Sequence, residues 1–231
     1  MIPHSLREKL KTLAEEPYRQ FSLKLLPGLV RMLGVRLPQL RKIAREVARG
    51  DWQKFLAQPI EEPYFEETLL QGMVLGYAPT TWEELVPWLE KYIPRIDNWS
   101  VCDSFCATLK IARTQPEKVW PFLEKYLISP QPFECRFAVV MILMYFVKED
   151  YLQPALQRLE KVRCEDYYAR MAVAWAVSLF YLSFPQATQS FLQKKTLPPF
   201  TRRKAIRKIL ESQRLSPAEK QHLRQWAEDL F

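Results

Sequence analysis

Apolar residues recur along this chain at the spacing of an α-helix, in segments that are separated by prolines. Between residues 133 and 146, for example, Phe137, Val140, Met141 and Met144 would all lie on one side of a helix. The 231-residue chain contains 18 prolines but only 5 glycines, which favours helices stopped by prolines over a fold rich in β-turns. The pattern therefore predicts an all-α protein.

The helical segments repeat with a period of about 34 residues. Five segments align with one another, and their starts are separated by 34, 35, 34 and 33 residues. These first-family segments begin at Tyr64, Asn98, Phe133, Tyr167 and Phe200. A second family alternates with the first: WEELVPWLEKY (82–92) recurs as EKVWPFLEKYL (117–127), with weaker copies at 152–162 and 187–195.

A repeat of this length is typical of helix pairs that bury their apolar faces only by stacking on neighbouring pairs. We therefore expect a curved α-solenoid of HEAT-like antiparallel helix pairs, in which one helix of each pair lines a concave face. The repeat is clearest over residues 64–214, and we expect the whole chain, residues 1–231, to form one domain. The less regular N-terminal quarter predicts helices near Ser5–Glu15, Pro17–Leu26 and Pro38–Arg49, and a short helix near Asp51–Ala57.

Asp103 breaks the pattern of the first family. It is the sixth residue of its segment, and the equivalent residues of the other segments are Leu69, Ala138, Ala172 and Ala205. A small apolar group that faces a neighbouring helix is therefore the rule at this position. A partly buried carboxylate is costly there unless it is paired or hydrogen-bonded. Asp103 is thus either a functional group or a residue that caps a helix, pairs with a basic group or faces solvent.

Two tryptophans also occupy unusual repeat positions. Trp99 lies four residues before Asp103 and hence on the same side of the helix. Trp175 is the ninth residue of its segment, where the other segments have Gly72, Cys106, Met141 and Lys208. We expect core packing for the remaining tryptophans, which are Trp52, Trp82, Trp88, Trp120 and Trp226.

Three consecutive segments carry an arginine as their fourth residue, namely Arg136, Arg170 and Arg203. In stacked helices an equivalent position forms a line, with a spacing of roughly 10 Å between neighbours. Such a line of guanidinium groups suits the phosphate backbone of a nucleic acid. Salt bridges to acidic residues of the second-family helices explain the three arginines equally well.

The formal net charge of +8 favours a polyanionic partner, nucleic acid above all, although charge alone does not establish one. The basic residues form two clusters. The first cluster contains Arg36, Arg41, Lys42, Arg45 and Arg49, and the second contains Lys194, Lys195, Arg202, Arg203, Lys204, Arg207, Lys208 and Arg214. Because acidic residues are scarce around the second cluster, we assign it to DNA, whereas the first is equally consistent with a solvated face.

The sequence argues against several classes of protein. No apolar run approaches the roughly 20 residues that a membrane helix needs, and the charged N-terminus lacks the apolar core of a secretory signal. The four cysteines do not suggest a disulfide framework in a chain of this size. We therefore expect a cytoplasmic, monomeric protein with no membrane partner.

No metal or other cofactor is expected. Cys102 and Cys106 are four residues apart, but their segment contains no histidine, so small buried residues are the better interpretation. The two histidines, His4 and His222, lie near the two ends of the chain. The sequence also lacks a glycine-rich phosphate loop and a Ser/His/Asp pattern.

Several motifs resemble those of one known family. They are GVRLPQLRKIA (34–44), YFEETLLQGMVLGY, IDNWSVCDSF, FECRFAVVM and YYARMAVAWA, within a likeness that extends from about residue 20 to about residue 215. Through these motifs the chain resembles the AlkD-like alkylpurine DNA glycosylases, which are DNA alkylation repair proteins built of HEAT-like repeats. The resemblance implies hydrolysis of the N-glycosidic bond of cationic alkylated purines in double-stranded DNA.

The resemblance also implies a role for particular residues. The family's catalytic aspartate falls on Asp103, in a Trp-x-x-x-Asp spacing with Trp99. Its active-site arginine falls on Arg136 and its second cleft tryptophan on Trp175, so that the two tryptophans would flank the lesion. The residues expected to bind DNA phosphates are Arg136, Arg170, Arg203, Lys204 and Arg207.

The chain departs from the better-known members of that family in two places. Asn98 precedes Trp99 where those members have a tryptophan doublet, and Ala174 and Ser178 stand near Trp175 where they tend to have glycine and arginine. These differences affect the expected substrate range and the affinity for DNA more than the expected reaction. Two other functions stay open: a non-enzymatic DNA-binding member of the family, and a HEAT-type scaffold that binds proteins and carries its basic charge incidentally.

Overall fold

The structure is a computed structural model that describes residues 3–228 and residue 230, with the side chain of His4 outside the described part. The described residues form α-helices joined by turns and short 3-10 helices, and they contain no β-strand. The prediction of an all-α helical repeat fold is therefore confirmed. The helices are α1 (Pro3–Thr12), α2 (Glu16–Leu25), α3 (Leu37–Ala48), α4 (Trp52–Ala57), α5 (Phe65–Tyr77), α6 (Trp82–Tyr92), α7 (Trp99–Thr108), α8 (Ile111–Thr114), α9 (Pro116–Phe122), α10 (Glu124–Leu127), α11 (Pro132–Tyr145), α12 (Leu152–Lys161), α13 (Tyr167–Ser183), α14 (Pro185–Gln193), α15 (Pro199–Glu211) and α16 (Pro217–Glu228).

The chain divides into two compact units, residues 1–118 and residues 119–231. In the first unit, the first-family segments that begin at Tyr64 and Asn98 form α5 and α7. Helix α5 packs against both α3 and α7. The second-family segment 82–92 forms α6, which begins where Thr81 accepts a hydrogen bond from the N–H of Glu84 at 3.3 Å. The expectation that residues 1–231 form one domain stays a prediction.

In the second unit, the segments that begin at Phe133, Tyr167 and Phe200 form α11, α13 and α15. Helix α13 packs against both α11 and α15, so the first-family helices of this unit lie side by side. The second-family segment 117–127 is divided between α9 and α10. The interruption falls at Leu123, two residues after Pro121, whereas Pro87 at the equivalent repeat position lies within the continuous helix α6.

The four helices predicted in the N-terminal quarter are all present, with bounds that differ from the prediction by at most three residues. The largest difference is at the end of α1, which stops at Thr12 rather than near Glu15. Glu15 is extended, with φ −123° and ψ 111°, because it serves as the N-cap residue of α2. A residue in this conformation cannot also continue α1.

Gly34 permits the loop before α3 to approach α2 closely. Its φ of +92° lies in the left-handed region, and a Cβ at this position would come within 2.6 Å of the carbonyl oxygen of Glu15. The carbonyl of Gly34 accepts a hydrogen bond from the N–H of Glu15 at 3.0 Å. A residue with a side chain would therefore separate the loop from α2.

Two buried carboxylates at the start of α5 bind the N-terminal helices to the repeat. Glu66 and Glu67 are each 1% exposed. Both oxygens of Glu67 accept hydrogen bonds from the guanidinium group of Arg7 at 2.8 Å. Glu66 accepts hydrogen bonds from three backbone N–H groups, those of Leu33 (3.0 Å), Gly34 (2.7 Å) and Val35 (3.2 Å). These donors replace the water that each carboxylate loses on burial.

Of the five tryptophans that were expected to pack in the core, two are buried, and Trp88, Trp120 and Trp226 are half-buried and pack against other apolar side chains. Trp52 and Trp82 are buried, and Trp88 lies against Trp52 with 5.7 Å between ring centroids. Trp120 packs against Phe146 at 4.8 Å. Trp226 packs against a buried cluster formed by Tyr181, Ile209 and Leu223.

The arrangement around Glu66 predicts a large effect of removing its charge. We expect Glu66→Gln to lower the free energy of unfolding by roughly 2–4 kcal/mol, because the amide offers one acceptor oxygen to three buried N–H groups. Chemical denaturation followed by circular dichroism measures this change. The exposed Glu61 is the matched control, since its side chain contacts none of these groups, and Glu61→Gln should change stability by less than about 0.5 kcal/mol. Equal stability of the two variants would contradict the prediction.

Candidate functional site

Asp103 lies on the one side of α7 that is partly open. Its neighbours along the helix, including Cys102, Ser104 and Phe105, are buried. Trp99, Asp103 and Ala107 are half-buried instead, and their four-residue spacing places them along a single stripe. The equivalent residues of the other repeats, Leu69, Ala138, Ala172 and Ala205, are all buried. The carboxylate thus occupies a repeat position that is more exposed in α7 than in the other first-family helices.

The first turn of α7 is fixed by Asn98. Its side-chain oxygen accepts a hydrogen bond from the N–H of Val101 at 3.0 Å, which makes Asn98 the N-cap of the helix. Its amide group also donates to the carboxylate of Asp97 at 2.7 Å. This departure from the tryptophan doublet therefore has a structural role, because it holds the turn that carries Trp99.

The indole of Trp99 is tied to the N-terminal helices. Its Nε1–H donates a hydrogen bond to the carbonyl oxygen of Leu25, the last residue of α2, at 3.2 Å. This bond restricts the orientation of the ring while leaving the side chain half-buried. The ring of Trp99, which shares its stripe with Asp103, is therefore held in one orientation.

Sequence reasoning missed an apolar surface in this part of the chain. Phe21, Leu25 and Val30 are exposed by 58%, 49% and 77%. Phe21 and Leu25 are four residues apart on α2, whereas Ser22 and Leu26 are buried. The sequence carries a signal for this, because α2 has apolar residues on two sides and only one of them can face the core.

Arg136 connects two first-family helices. It is 6% exposed, and its Nη1–H donates to the carbonyl oxygen of Tyr168, at the start of α13, at 2.9 Å. One of the second-family acids, Glu124, pairs with Arg158 at 2.6 Å. Part of the hydrogen-bonding capacity of Arg136 is thus used within the repeat.

Arg170 occupies the same repeat position and has a different environment. Its guanidinium carbon lies 4.5 Å from the ring centroid of Phe200, at the start of α15. Its buried Nε–H has no acceptor, and among the residues that the structure describes Arg170 forms no ion pair. The salt-bridge explanation of this arginine is therefore not supported by its contacts.

Helix α15 presents basic side chains to solvent. Arg203 and Arg207 are exposed, and Lys204 and Lys208 are half-buried. Arg207 pairs with Glu211 at 2.9 Å, a surface contact that contributes little to stability. Arg203 and Arg207 are one turn apart and lie on the same side of α15.

Arg202 does not belong to this surface, and its assignment to the DNA-binding cluster is wrong. It is 7% exposed, and its guanidinium group donates to the carbonyl oxygens of Leu197 at 3.1 Å and Leu230 at 3.2 Å. The buried guanidinium satisfies these two backbone carbonyls, one before α15 and one after α16, so it is not available to a phosphate.

Trp175 lies in the middle of α13 and is half-buried. Within the described part of the chain its indole N–H makes no hydrogen bond, in contrast to that of Trp99. Ala174 and Ser178, the two departures near it, are buried, and the hydroxyl of Ser178 donates to the carbonyl oxygen of Trp175 at 2.7 Å. Both departures thus lie on the packed side of α13.

The first basic cluster is distributed around α3. Arg36 pairs with Glu15 at 2.9 Å, and the guanidinium carbon of Arg45 lies 5.0 Å from the ring centroid of Tyr77. Arg36, Lys42, Arg45 and Arg49 are exposed and Arg41 is half-buried. The structure therefore leaves this cluster consistent with either a solvated face or a DNA contact.

The thiols of Cys102 and Cys106 are buried, as their interpretation as small packed residues requires. Among the described residues no group of three or more histidine, cysteine or acidic side chains is arranged to hold a metal ion. No helix in the same part of the chain combines the length and the apolar character that a membrane crossing needs.

The predicted site residues fall in both units. Trp99 and Asp103 lie together on α7 in the first unit. The remaining residues lie in the second unit on three successive first-family helices: Arg136 on α11, Arg170 and Trp175 on α13, and Arg203, Lys204 and Arg207 on α15.

Comparison with known families gives a match. A family model described as "DNA alkylation repair enzyme" matches residues 6–209, which include Asp103, both candidate tryptophans and all five candidate phosphate-binding residues. The chain therefore belongs to the family of AlkD-like DNA alkylation repair enzymes. This membership supports a role in DNA repair, with DNA as the partner. No curated protein matches the chain.

The capping role of Asn98 can be tested by substitution. We expect Asn98→Ala to lower the free energy of unfolding by about 1 kcal/mol, because the N–H of Val101 loses its acceptor. Asn98→Asp keeps an acceptor oxygen at the same place and should lose less than half as much. Urea unfolding of the three proteins measures the difference. A loss of equal size in both variants would show that the amide group, rather than the cap, is the stabilising element.

Proposed function

We propose that this protein is a DNA N-glycosylase that hydrolyses the N-glycosidic bond of cationic alkylated purines, of the 3-methyladenine and 7-methylguanine type, in double-stranded DNA. The observation that carries the proposal is the position of Asp103, half-buried on the partly open side of α7. In a family of DNA alkylation repair enzymes, this chain has a carboxylate at a repeat position that is otherwise apolar and buried. That carboxylate lies on the same stripe as Trp99.

The chemistry of the substrate explains why one carboxylate is sufficient. Alkylation at N3 or N7 gives the purine a formal positive charge. When the bond between the purine nitrogen and C1′ breaks, the electron pair moves to the base, which leaves as a neutral molecule. Protonation of the leaving group by a general acid is therefore unnecessary, and neither a redox nor a group-transfer cofactor is required.

In this proposal Asp103 acts on the sugar. As the bond breaks, positive charge develops on C1′ and O4′ of the deoxyribose, and a fixed negative charge beside them lowers the energy of that state. Water then adds to C1′ and releases one proton, for which the Asp103 carboxylate is a suitable acceptor. The products are a free base and an abasic site.

Trp99 and Trp175 are proposed to flank the lesion and its sugar. The face of an indole ring carries negative electrostatic potential, so it attracts a cationic base. The hydrogen bond from Trp99 to Leu25 supports this role for Trp99, because it orients the ring before any ligand arrives. The half-buried state of Trp175 leaves part of its ring accessible.

DNA phosphates are proposed to bind Arg136, Arg170, Arg203, Lys204 and Arg207. The exposure of Arg203 and Arg207, one turn apart on α15, supports a backbone contact for these two. Arg136 has a different character because it is almost buried and already donates to the Tyr168 carbonyl. Its proposed phosphate contact would use guanidinium N–H groups other than that one.

Catalysis by Asp103 has a direct test. DNA that contains 7-methylguanine is incubated with the protein and then treated with alkali, which breaks the strand at abasic sites. We expect the wild-type protein to produce breaks and Asp103→Asn to lose activity by about 100-fold or more, because the neutral amide does not stabilise the sugar cation. Binding of Asp103→Asn to the same DNA should persist.

The matched control is Asp97→Asn, which removes a carboxylate immediately before α7 and leaves the stripe unchanged. It should retain activity within about threefold of wild type, since its effect on the Asn98 contact is a surface one. Full activity of Asp103→Asn would exclude the proposed mechanism. Binding without strand breaks in the wild-type protein would favour a non-enzymatic DNA-binding protein, and absence of duplex affinity at low salt would favour a protein-binding scaffold.

The DNA contact of α15 predicts a change in the salt dependence of binding. We expect the double variant Arg203→Ala with Lys204→Ala to bind duplex DNA more weakly. The slope of log K against log salt concentration should fall by up to about 2, because two fewer counterions are released. Fluorescence anisotropy at several salt concentrations measures both quantities. The double variant Lys220→Ala with Arg224→Ala on α16 is the charge-matched control, and unchanged affinity in the α15 variant would place the DNA contact elsewhere.

A further inference from the structure

A cavity of about 250 Å³ lies in the second unit, where α12 ends and α13 and α15 begin. Apolar side chains form part of its wall, among them Val162 and Leu197, both of which are buried. Its polar lining is formed by Arg163, Arg170, Glu165, Thr196 and Thr201. The cavity therefore combines two positive charges and two hydroxyl groups with one negative charge.

In the described part of the chain neither arginine of the cavity has an acidic partner, whereas two other arginines of this unit do. Arg158 pairs with Glu124, and Arg207 pairs with Glu211. Among the described residues, Arg163 and Arg170 form no ion pair. The Nε–H of Arg170 is also buried without an acceptor. Because this Nε has almost no accessible surface, any contact of Arg170 with a ligand in the cavity would be made by its Nη groups.

Arg163 is held in place by the end of α12. Its Nη1–H donates to the carbonyl oxygens of Glu160 at 2.6 Å and Val162 at 3.4 Å. Only Nη1 of Arg163 is used in these contacts, so the N–H groups on the other guanidinium nitrogens are available to a ligand. The guanidinium group of Arg170 is positioned by the ring of Phe200, over which it lies. Both cations are thus oriented by protein contacts that do not neutralise them.

The start of α15 adds to the positive potential of the cavity. Its N-cap residue is Pro198, which forms no side-chain hydrogen bond to the first turn. Pro198 and Thr201, the third residue of α15, both line the cavity. The N-terminal end of a helix favours negative charge, and its first N–H groups are natural donors to an anion.

We propose that this cavity binds a compact oxyanion of the phosphate type. A tetrahedral phosphate group presents oxygens to more than one donor at once, which matches two guanidinium forks and the hydroxyl groups of Thr196 and Thr201. Glu165 opposes an anion and therefore limits the affinity. The proposal concerns a site other than Asp103, and it does not depend on glycosylase activity.

The experiment is a titration of the full-length protein with inorganic phosphate by isothermal calorimetry, with chloride at matched ionic strength as the reference. We expect saturable binding of phosphate to the wild-type protein and not of chloride. Arg170→Gln and Arg163→Gln should each weaken the phosphate affinity about tenfold, the effect of losing one charge-assisted hydrogen bond. Arg224→Gln, an exposed change on α16, is the matched control and should leave the affinity unchanged.

Glu165→Gln tests the same site in the opposite direction. Glu165 is exposed, so this substitution should not disturb folding, and removal of its charge should tighten phosphate binding about threefold. Absence of saturable phosphate binding in both the wild type and Glu165→Gln would overturn the proposal. Binding that is the same in wild type, Arg170→Gln and Arg163→Gln would overturn it as well.

The source of the phosphate group is distinguished by competition. If the cavity takes a backbone phosphate of DNA, inorganic phosphate should displace a labelled duplex from the wild type more effectively than from Arg163→Gln at matched ionic strength. If the cavity takes a free phosphate or a small phosphate ester, the duplex affinity of wild type and Arg163→Gln should be equal while their phosphate affinities differ. Loss of activity on 7-methylguanine DNA in Asp103→Asn bears on the proposed function alone.

Discussion

Most residues of the first-family helices α5, α7, α11 and α13 are buried, and this constraint decides which polar side chains these helices can carry. Inside a stack of helices no water is available to a polar group, so each one requires a partner from the protein. Glu66 meets this requirement with three backbone N–H groups, and Arg136 does so in part with the carbonyl oxygen of Tyr168. A polar residue can also lie on a side of the helix that the stack leaves partly open. In α7 that side carries Trp99 and Asp103, both of which are half-buried.

A site built on such a helix is rigid, and this suits the proposed chemistry. Electrostatic stabilisation of a developing sugar cation depends on a charge that is already in position when the bond breaks. The cap formed by Asn98 fixes the first turn of α7, and the hydrogen bond to Leu25 fixes the indole of Trp99. The N-terminal helices are themselves held to the repeat through Glu66 and Glu67. A contact with a residue far away along the chain thus orients the ring that lies one turn from Asp103.

In the second unit the arginine at the fourth position of each first-family segment has a different environment in each of the three helices. Arg136 is nearly buried and bonded to the next helix, Arg170 is half-buried over an aromatic ring, and Arg203 is exposed. The physical cause is the neighbour that follows each helix. Arg136 meets the start of α13 and Arg170 meets the start of α15, whereas α15 is the last helix of the first family. Equivalent arginines can therefore serve as a structural link, as the lining of a cavity and as a surface charge.

The sequence by itself determined the helices, their period and the exceptional character of Asp103, because helical spacing and repeat alignment depend only on residues that are close in the chain or one period apart. It also placed Trp99 on the same side of the helix as Asp103, for the same local reason. Only the tertiary structure decided that Arg202 is buried against the carbonyl oxygens of Leu197 and Leu230, and that Trp99 bonds to Leu25, 74 residues away. It alone revealed the cavity shared by Arg163, Arg170 and Thr201. These contacts join side chains across different helices, and their partners are set by how the helices pack, which no local spacing encodes.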